Sequence, residues 1–179
     1  MNAEQPRFLV IGAGVNGSAC ASILQRSGID VTLLARGQRF GDIRKEGVII
    51  ENPLNGKRTV AIVPVVDRLA PDDFYDYLFV IMRKNQALEL LPVLARNCSP
   101  NVVFMGNTLT GPECYTDVLG KERVLLGSVY AGGRREGRII RAIVPKGIPV
   151  PFGEPDGSVS PRLKRLAAAL NRGISRAEI

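Results

Sequence analysis

Four apolar residues in a row, Phe8-Leu9-Val10-Ile11, begin the patterned part of the chain. A run of this length without alternation predicts a strand covered on both faces. Gly12-Ala13-Gly14-Val15-Asn16-Gly17 follows, and then a helical stripe of Val15, Ala19 and Ile23, with Cys20 and Leu24 beside it and Gly28 placed for the C-cap. The alternation of strand and helix continues. Residues 29–34 predict a second strand and residues 41–45 a short helical segment, while 48–51 and 58–63 read as strands joined by a turn at Asn52-Pro53-Leu54-Asn55-Gly56. Residues 77–82 and 102–105 read as buried strands. Residues 86–95 have helical spacing (Leu88, Leu91, Leu94, Ala95), and 112–119 predict a further helix. After Lys121 the pattern changes to extended segments, 124–130, 138–144 and 148–152, separated by Gly and Pro turns. Residues 161–170 close the series as a helix, with Leu163, Leu166, Ala167 and Leu170 on its apolar stripe and Ser160 capping a Pro161 at the first helical position.

Strands alternating with helices predict an α/β fold, a Rossmann-type, doubly wound, mostly parallel sheet, and the segments after residue 121 predict antiparallel additions to it. At 179 residues the chain suits one domain, 1–179, with a substantial core.

The three glycines have GxGxxG spacing between a strand and a helix, the context of a dinucleotide site. Gly12 would make the tight turn, Gly14 let the backbone approach a pyrophosphate, and Gly17 let the helix pack close to the strand. The N–H groups of the helix N-terminus, carried by Ala13, Val15 and Asn16 as well as the glycines, then face the phosphates. The end of the second strand selects the nucleotide. In Asp30-Val31-Thr32-Leu33-Leu34-Ala35-Arg36 the acid lies at the wrong end to bond a ribose 2′-hydroxyl, and Arg36 lies where a 2′-phosphate would be, with Gln38 and Arg39 in the same loop. A planar guanidinium suits a phosphate, so NADP is the expected cofactor. Two further loops belong at the carboxyl edge of such a sheet: Arg83-Lys84-Asn85-Gln86 and Gly106-Asn107-Thr108, whose polar side chains are candidates for ribose, nicotinamide or substrate.

Composition removes several chemistries. The chain has no histidine, which excludes Ser-His-Asp and Cys-His catalysis and histidine metal sites within it. Cys20, Cys98 and Cys114 lack metal or redox spacing, and with no signal peptide or apolar run of membrane-spanning length a reduced, cytoplasmic setting is expected. The net charge of +7 lies in the last third: residues 1–120 hold 12 Lys+Arg against 12 Asp+Glu, and 121–179 hold 12 against 5. These charges are scattered, without interleaved aromatics, so a solvated or interdomain surface is expected rather than nucleic-acid binding.

Together these residues resemble the N-terminal domain of ketopantoate reductase (2-dehydropantoate 2-reductase). The resemblance includes the glycine motif, Arg36, Ile43-Arg44-Lys45-Glu46-Gly47, the Arg83–Gln86 loop against the family's Lys-x-x-Gln, Gly106-Asn107 against its Asn-Gly turn, Leu119-Gly120-Lys121-Glu122-Arg123-Val124 and Phe152-Gly153-Glu154-Pro155. Arg83 stands where the family has lysine, and Thr108 where it has glycine. The resemblance implies hydride transfer from NADPH to a 2-oxo acid, ketopantoate or a related substrate, as in pantothenate biosynthesis. Gly12, Gly14 and Gly17 would seat the pyrophosphate, Arg36 the 2′-phosphate, and Arg83, Gln86 and Asn107 would lie toward the nicotinamide ribose or substrate. The family's catalytic lysine belongs to a helical C-terminal domain, and no residue here matches it. The chain is therefore expected to be the cofactor-binding part, inactive alone, with an exposed apolar surface through which a homodimer would form. The alternative is a free-standing NADP-binding or regulatory module without catalysis.

Overall fold

The protein is described by a computed structural model covering residues 5–106, 111–128, 131–144, 150–171 and 177–178. In chain order the elements are β1 (Phe8–Ile11), α1 (Val15–Arg26), β2 (Val31–Leu34), α2 (Gln38–Glu46), β3 (Val48–Glu51), β4 (Arg58–Ala61), β5 (Val65–Val66), β6 (Tyr77–Val80), α3 (Lys84–Arg96), β7 (Val102–Met105) and α4 (Glu113–Leu119). A single 3₁₀ turn (Lys121–Arg123) leads to β8 (Val124–Gly127), β9 (Gly132–Glu136), β10 (Ile139–Ile143), β11 (Val150–Gly153), α5 (Pro161–Asn171) and β12 (Ala177–Glu178).

Eight strands form one sheet in the order β12-β11-β8-β7-β6-β1-β2-β5. The six from β8 to β5 run parallel, with Phe8 opposite Val31 on one side and Tyr77 on the other. This is the doubly wound arrangement expected from the alternating pattern: the chain moves from β1 outward to β2 and β5, then returns to β6 and winds the other way. The strands are buried on both faces, which is why they read as unbroken apolar runs. Phe8 and Val10 face a core shared with α1 and α5, and Leu9 and Ile11 a core shared with α3 and α4.

The region after residue 121 is more mixed than expected. β8 extends the parallel set, and the antiparallel neighbour in this sheet is β11, paired through Phe152 and Gly127. The 138–144 segment joins a different sheet, ordered β4-β3-β10-β9, in which β10 runs parallel to β3 and antiparallel to β9. Helix α1 lies between the two sheets, in contact with β1 and β2 on one side and with β3, β4, β9 and β10 on the other. Apart from Leu24, its buried residues are correspondingly small: Gly17, Ser18, Ala19, Cys20, Ala21 and Ser22 bring backbone close to backbone on both sides. Short side chains are what a helix covered twice requires.

Two local differences have plain causes. α2 starts three residues earlier than its apolar spacing showed, because Gln38 and Arg39 form its first turn rather than a loop. Lys84, Asn85 and Gln86 likewise form the first turn of α3, leaving Arg83 as the residue before the helix. At α5 the cap is as expected: Ser160 Oγ accepts the Leu163 N–H at 3.2 Å.

Candidate functional site

The glycine loop joins β1 to α1 at the carboxyl edge of the sheet, beside the point where the winding reverses between β1 and β6. Gly12 has φ +115°, a conformation closed to other residues, and a Cβ there would lie 2.3 Å from the Ile81 carbonyl oxygen on the neighbouring strand. A Cβ on Gly17 would meet the Gly12 carbonyl oxygen at 1.7 Å, so α1 can start this close to its strand only without a side chain. Gly14 is different. A Cβ there would touch nothing within 4 Å, and the residue is exposed. The loop thus presents bare backbone toward open space at one position and is packed tight at the other two.

Hydrogen bonding within α1 starts from Ser18 N to Gly14 O at 2.9 Å, which leaves the N–H groups of Val15, Asn16 and Gly17 without an intrahelical acceptor. No acidic residue occupies the first turn, so the positive end of the helix dipole is not neutralised from within. Ala13 and Val15 pack their side chains against the core and offer only backbone to a ligand. Asn16 turns its carboxamide the other way: Oδ1 accepts the Ala131 N–H at 2.9 Å, just before β9. These features fit a diphosphate at the helix N-terminus, with Gly14 as the point of closest approach.

Arg36 follows β2 at the same edge, exposed, and among the described residues it takes no ion pair or hydrogen bond. Asp30 lies at the opposite end of β2, its carboxylate 3.8 Å from Arg7 Nε. The edge therefore carries a cation and no strand-end acid. Arg83 follows β6, exposed, and Gln86 is exposed on the first turn of α3. Gly106 follows β7, and a Cβ there would lie 3.6 Å from the Met82 carbonyl oxygen, so these two loops are neighbours. Asn107 lies outside the described residues.

One residue at this site was not legible as such. Arg39, expected in the loop with Arg36, is buried in the first turn of α2, where its Nη2 donates to Ser18 Oγ at 3.2 Å and its Nη1 to the Arg138 carbonyl at 2.8 Å. The i, i+4 spacing of Arg39 and the buried Ile43 carried the signal, hidden by the charge. Burial and then Arg135 lower the Arg39 pKa, with Asp42 partly offsetting them. Other chemistry is sparse. Burial pushes the Cys20 thiol up to about 12, an inert thiol. No group of side chains able to hold a metal occurs among the described residues.

The ketopantoate reductase (PanE/ApbA) family model matches residues 8–147, most of the chain. The chain belongs to this family. No curated protein matches its sequence. Among solved structures, a ketopantoate reductase from Ralstonia solanacearum superimposes with a TM-score of 0.78 at 21% identity, over 97% of this chain and 60% of that one. A 2-dehydropantoate 2-reductase from Porphyromonas gingivalis gives 0.79 at 20%, over 98% and 64%. D-mandelate dehydrogenase, solved with NADH and anilino(oxo)acetate, gives 0.79 at 19%, over 96% and 56%. This member of the ketopantoate reductase family thus shares its whole described fold with these proteins and spans about three-fifths of their length. Among the described residues, no helix is long and apolar enough to cross a membrane.

Proposed function

We propose that this chain is the NADP-binding portion of an NADPH-dependent 2-oxo acid reductase acting on ketopantoate or a related substrate. Arg36 carries the cofactor assignment: an exposed cation with no acidic partner stands where the second strand ends, and Asp30 is held at the far end by Arg7. A carboxylate at Arg36 would repel a 2′-phosphate, whereas a guanidinium meets it with two parallel donors.

The chain's own residues supply binding and orientation. The N–H groups at the start of α1 hold the diphosphate, Gly14 leaves room for it, and Arg36 holds the adenosine end. That fixes the direction in which the dinucleotide lies across the edge toward Arg83 and Gln86. Arg83 keeps a positive charge at the nicotinamide end, with a planar head where the family has an ammonium. The bound nicotinamide supplies the hydride. The proton that completes reduction to the alcohol is assigned to a lysine of the longer family members, so the chain alone binds cofactor and turns over little substrate. A cytoplasmic location and a homodimer belong to the same reading.

Titration with NADPH and NADH, beside an Arg36→Ala variant, tests it. NADPH binds tighter, and the variant loses about tenfold or more of that preference, the worth of a charge-assisted phosphate contact. Equal affinity for the two dinucleotides in the wild-type chain overturns the NADP assignment. Binding of neither overturns the dinucleotide site.

A further inference from the structure

The glycine loop is braced from the side facing away from the parallel sheet. Ser18 is fully buried on α1, and its Oγ donates to the Ala13 carbonyl at 3.2 Å. Ser18 Oγ in turn accepts from Arg39 Nη2, while Arg39 Nη1 reaches the Arg138 carbonyl in the turn between β9 and β10. At the other end of β9, Ala131 N–H bonds to Asn16. The β9–β10 hairpin therefore grips the loop and the start of α1 at two points, and Arg39 is the link at one of them.

The link bears on a particular peptide. Ala13 C=O and Gly14 N–H belong to one planar trans unit and point in opposite directions. Holding the carbonyl toward Ser18 aims the Gly14 N–H the other way, at the position where the loop has no side chain. Charge adds a second argument. Arg39 is 7% exposed, its Nε is buried without a hydrogen-bond partner, and its acceptors are neutral oxygens. Among the described residues it has no ion pair, the repulsion from Arg135 outweighs the attraction of Asp42, and the first turn of α1 has no acid. A buried cation left this way is costly unless a negative group comes near. A diphosphate at the start of α1 is such a group.

We infer that Arg39 is a positioning residue for the cofactor: through Ser18 it orients the Ala13–Gly14 peptide so that the Gly14 N–H faces the diphosphate. The inference rests on the proposed function above. It separates two arginines that lie three positions apart, Arg36 for the 2′-phosphate and Arg39 for the diphosphate.

The test titrates Arg39→Met, Ser18→Ala and the double variant with NADPH, NADH and adenosine 2′-phosphate, below the unfolding temperature of each. Each single variant weakens NADPH and NADH about tenfold in equal ratio and leaves adenosine 2′-phosphate unchanged. The double variant weakens them no further than the stronger single one, because both changes cut the same link. Lower thermal stability with unchanged dinucleotide affinity overturns the inference, since Arg39 would then be a brace alone. Additive losses, or a changed NADPH-to-NADH ratio, also overturn it. If Arg39→Met fails to fold, Ser18→Ala, which removes a single buried oxygen, decides by the same readings. A wild-type chain that binds neither dinucleotide overturns the proposed function and this inference together; wild-type binding with unaffected variants overturns only the inference.

Discussion

Gly14 and Gly17 stand three residues apart in one loop and should respond to alanine in opposite ways. At Gly17 the added methyl meets the Gly12 carbonyl, so α1 must move off its strand. Gly17→Ala is expected to cost about 3 kcal/mol, as overpacking of a close contact does, and thermal unfolding will read it. Gly14→Ala meets nothing, and at φ −76° the backbone suits alanine. Its stability should stay within about 1 kcal/mol of the parent, while NADPH affinity falls because the methyl occupies the approach to the backbone. Loss of stability in both variants would remove the distinction. At this scale the sequence showed the motif and Arg36 plainly, since spacing and strand-end position are local facts. It placed Arg39 in the loop with Arg36, because the buried role of a charged residue shows only once its acceptors are known, and those come from Ser18 and Arg138, distant in the chain.

Among the elements, α5 is tied to the sheet by a charged knot. Glu154 accepts from Arg162 Nε at 2.8 Å and from Ser160 Oγ, and Arg162 Nη2 donates to the carbonyls of Lys121 and Val124 at 3.2 and 3.0 Å. The Arg162 hydrogen bond holds the Glu154 carboxyl below its ordinary value, against a smaller opposing effect of burial. A depressed folded pKa means that this stabilisation is present above the ordinary glutamate range and is lost as pH falls below it. Glu154→Gln should lower the stability read from urea unfolding at neutral pH by about 2 kcal/mol, and the gap to the parent should close in acid. A gap that persists unchanged at acid pH would show that the ion pair is not its source. Arg123 plays a comparable part at the end of α3, donating to the carbonyls of Leu94, Asn97 and Ser99. The long helices and central strands were legible because each buries a periodic stripe or an unbroken run. β5, two residues long, and β9, Gly-Gly-Arg-Arg-Glu, bury too little apolar surface to leave a pattern.

For the whole molecule, four arginines of the basic last third form ion pairs: Arg134 with Glu136, Arg138 with Glu46, Arg141 with Glu51 and Glu136, Arg162 with Glu154. Leu54, Val60 and Ile62 stand exposed on the β3–β4 hairpin and the residue after it. Sedimentation equilibrium is expected to give twice the chain mass of 19.4 kDa, and a monomer across micromolar concentrations would remove the homodimer from the reading. NADPH at a hundred times its dissociation constant should add about 2.7 kcal/mol of stability, raising the unfolding temperature in the parent and much less in Gly14→Ala. The parallel sheet could be anticipated because its strands follow one another through single helices. The second sheet could not, since no local pattern pairs residues 49–51 with 139–141.

That pairing also sets an order of events as the chain folds. The strands β1, β2 and β6 find both their strand neighbours within the first 105 residues. The edge of β3 that will receive β10 stays open until residue 141 exists, a closure across about ninety positions, and non-local pairings of this kind form slowly. During synthesis an apolar edge bearing Ile49 and Ile50 therefore waits uncovered, the kind of surface that recruits other strands. Cofactor capture should lag behind recovery of helical signal in a refolding experiment, because the grip on the glycine loop arrives with the hairpin that closes across those ninety positions.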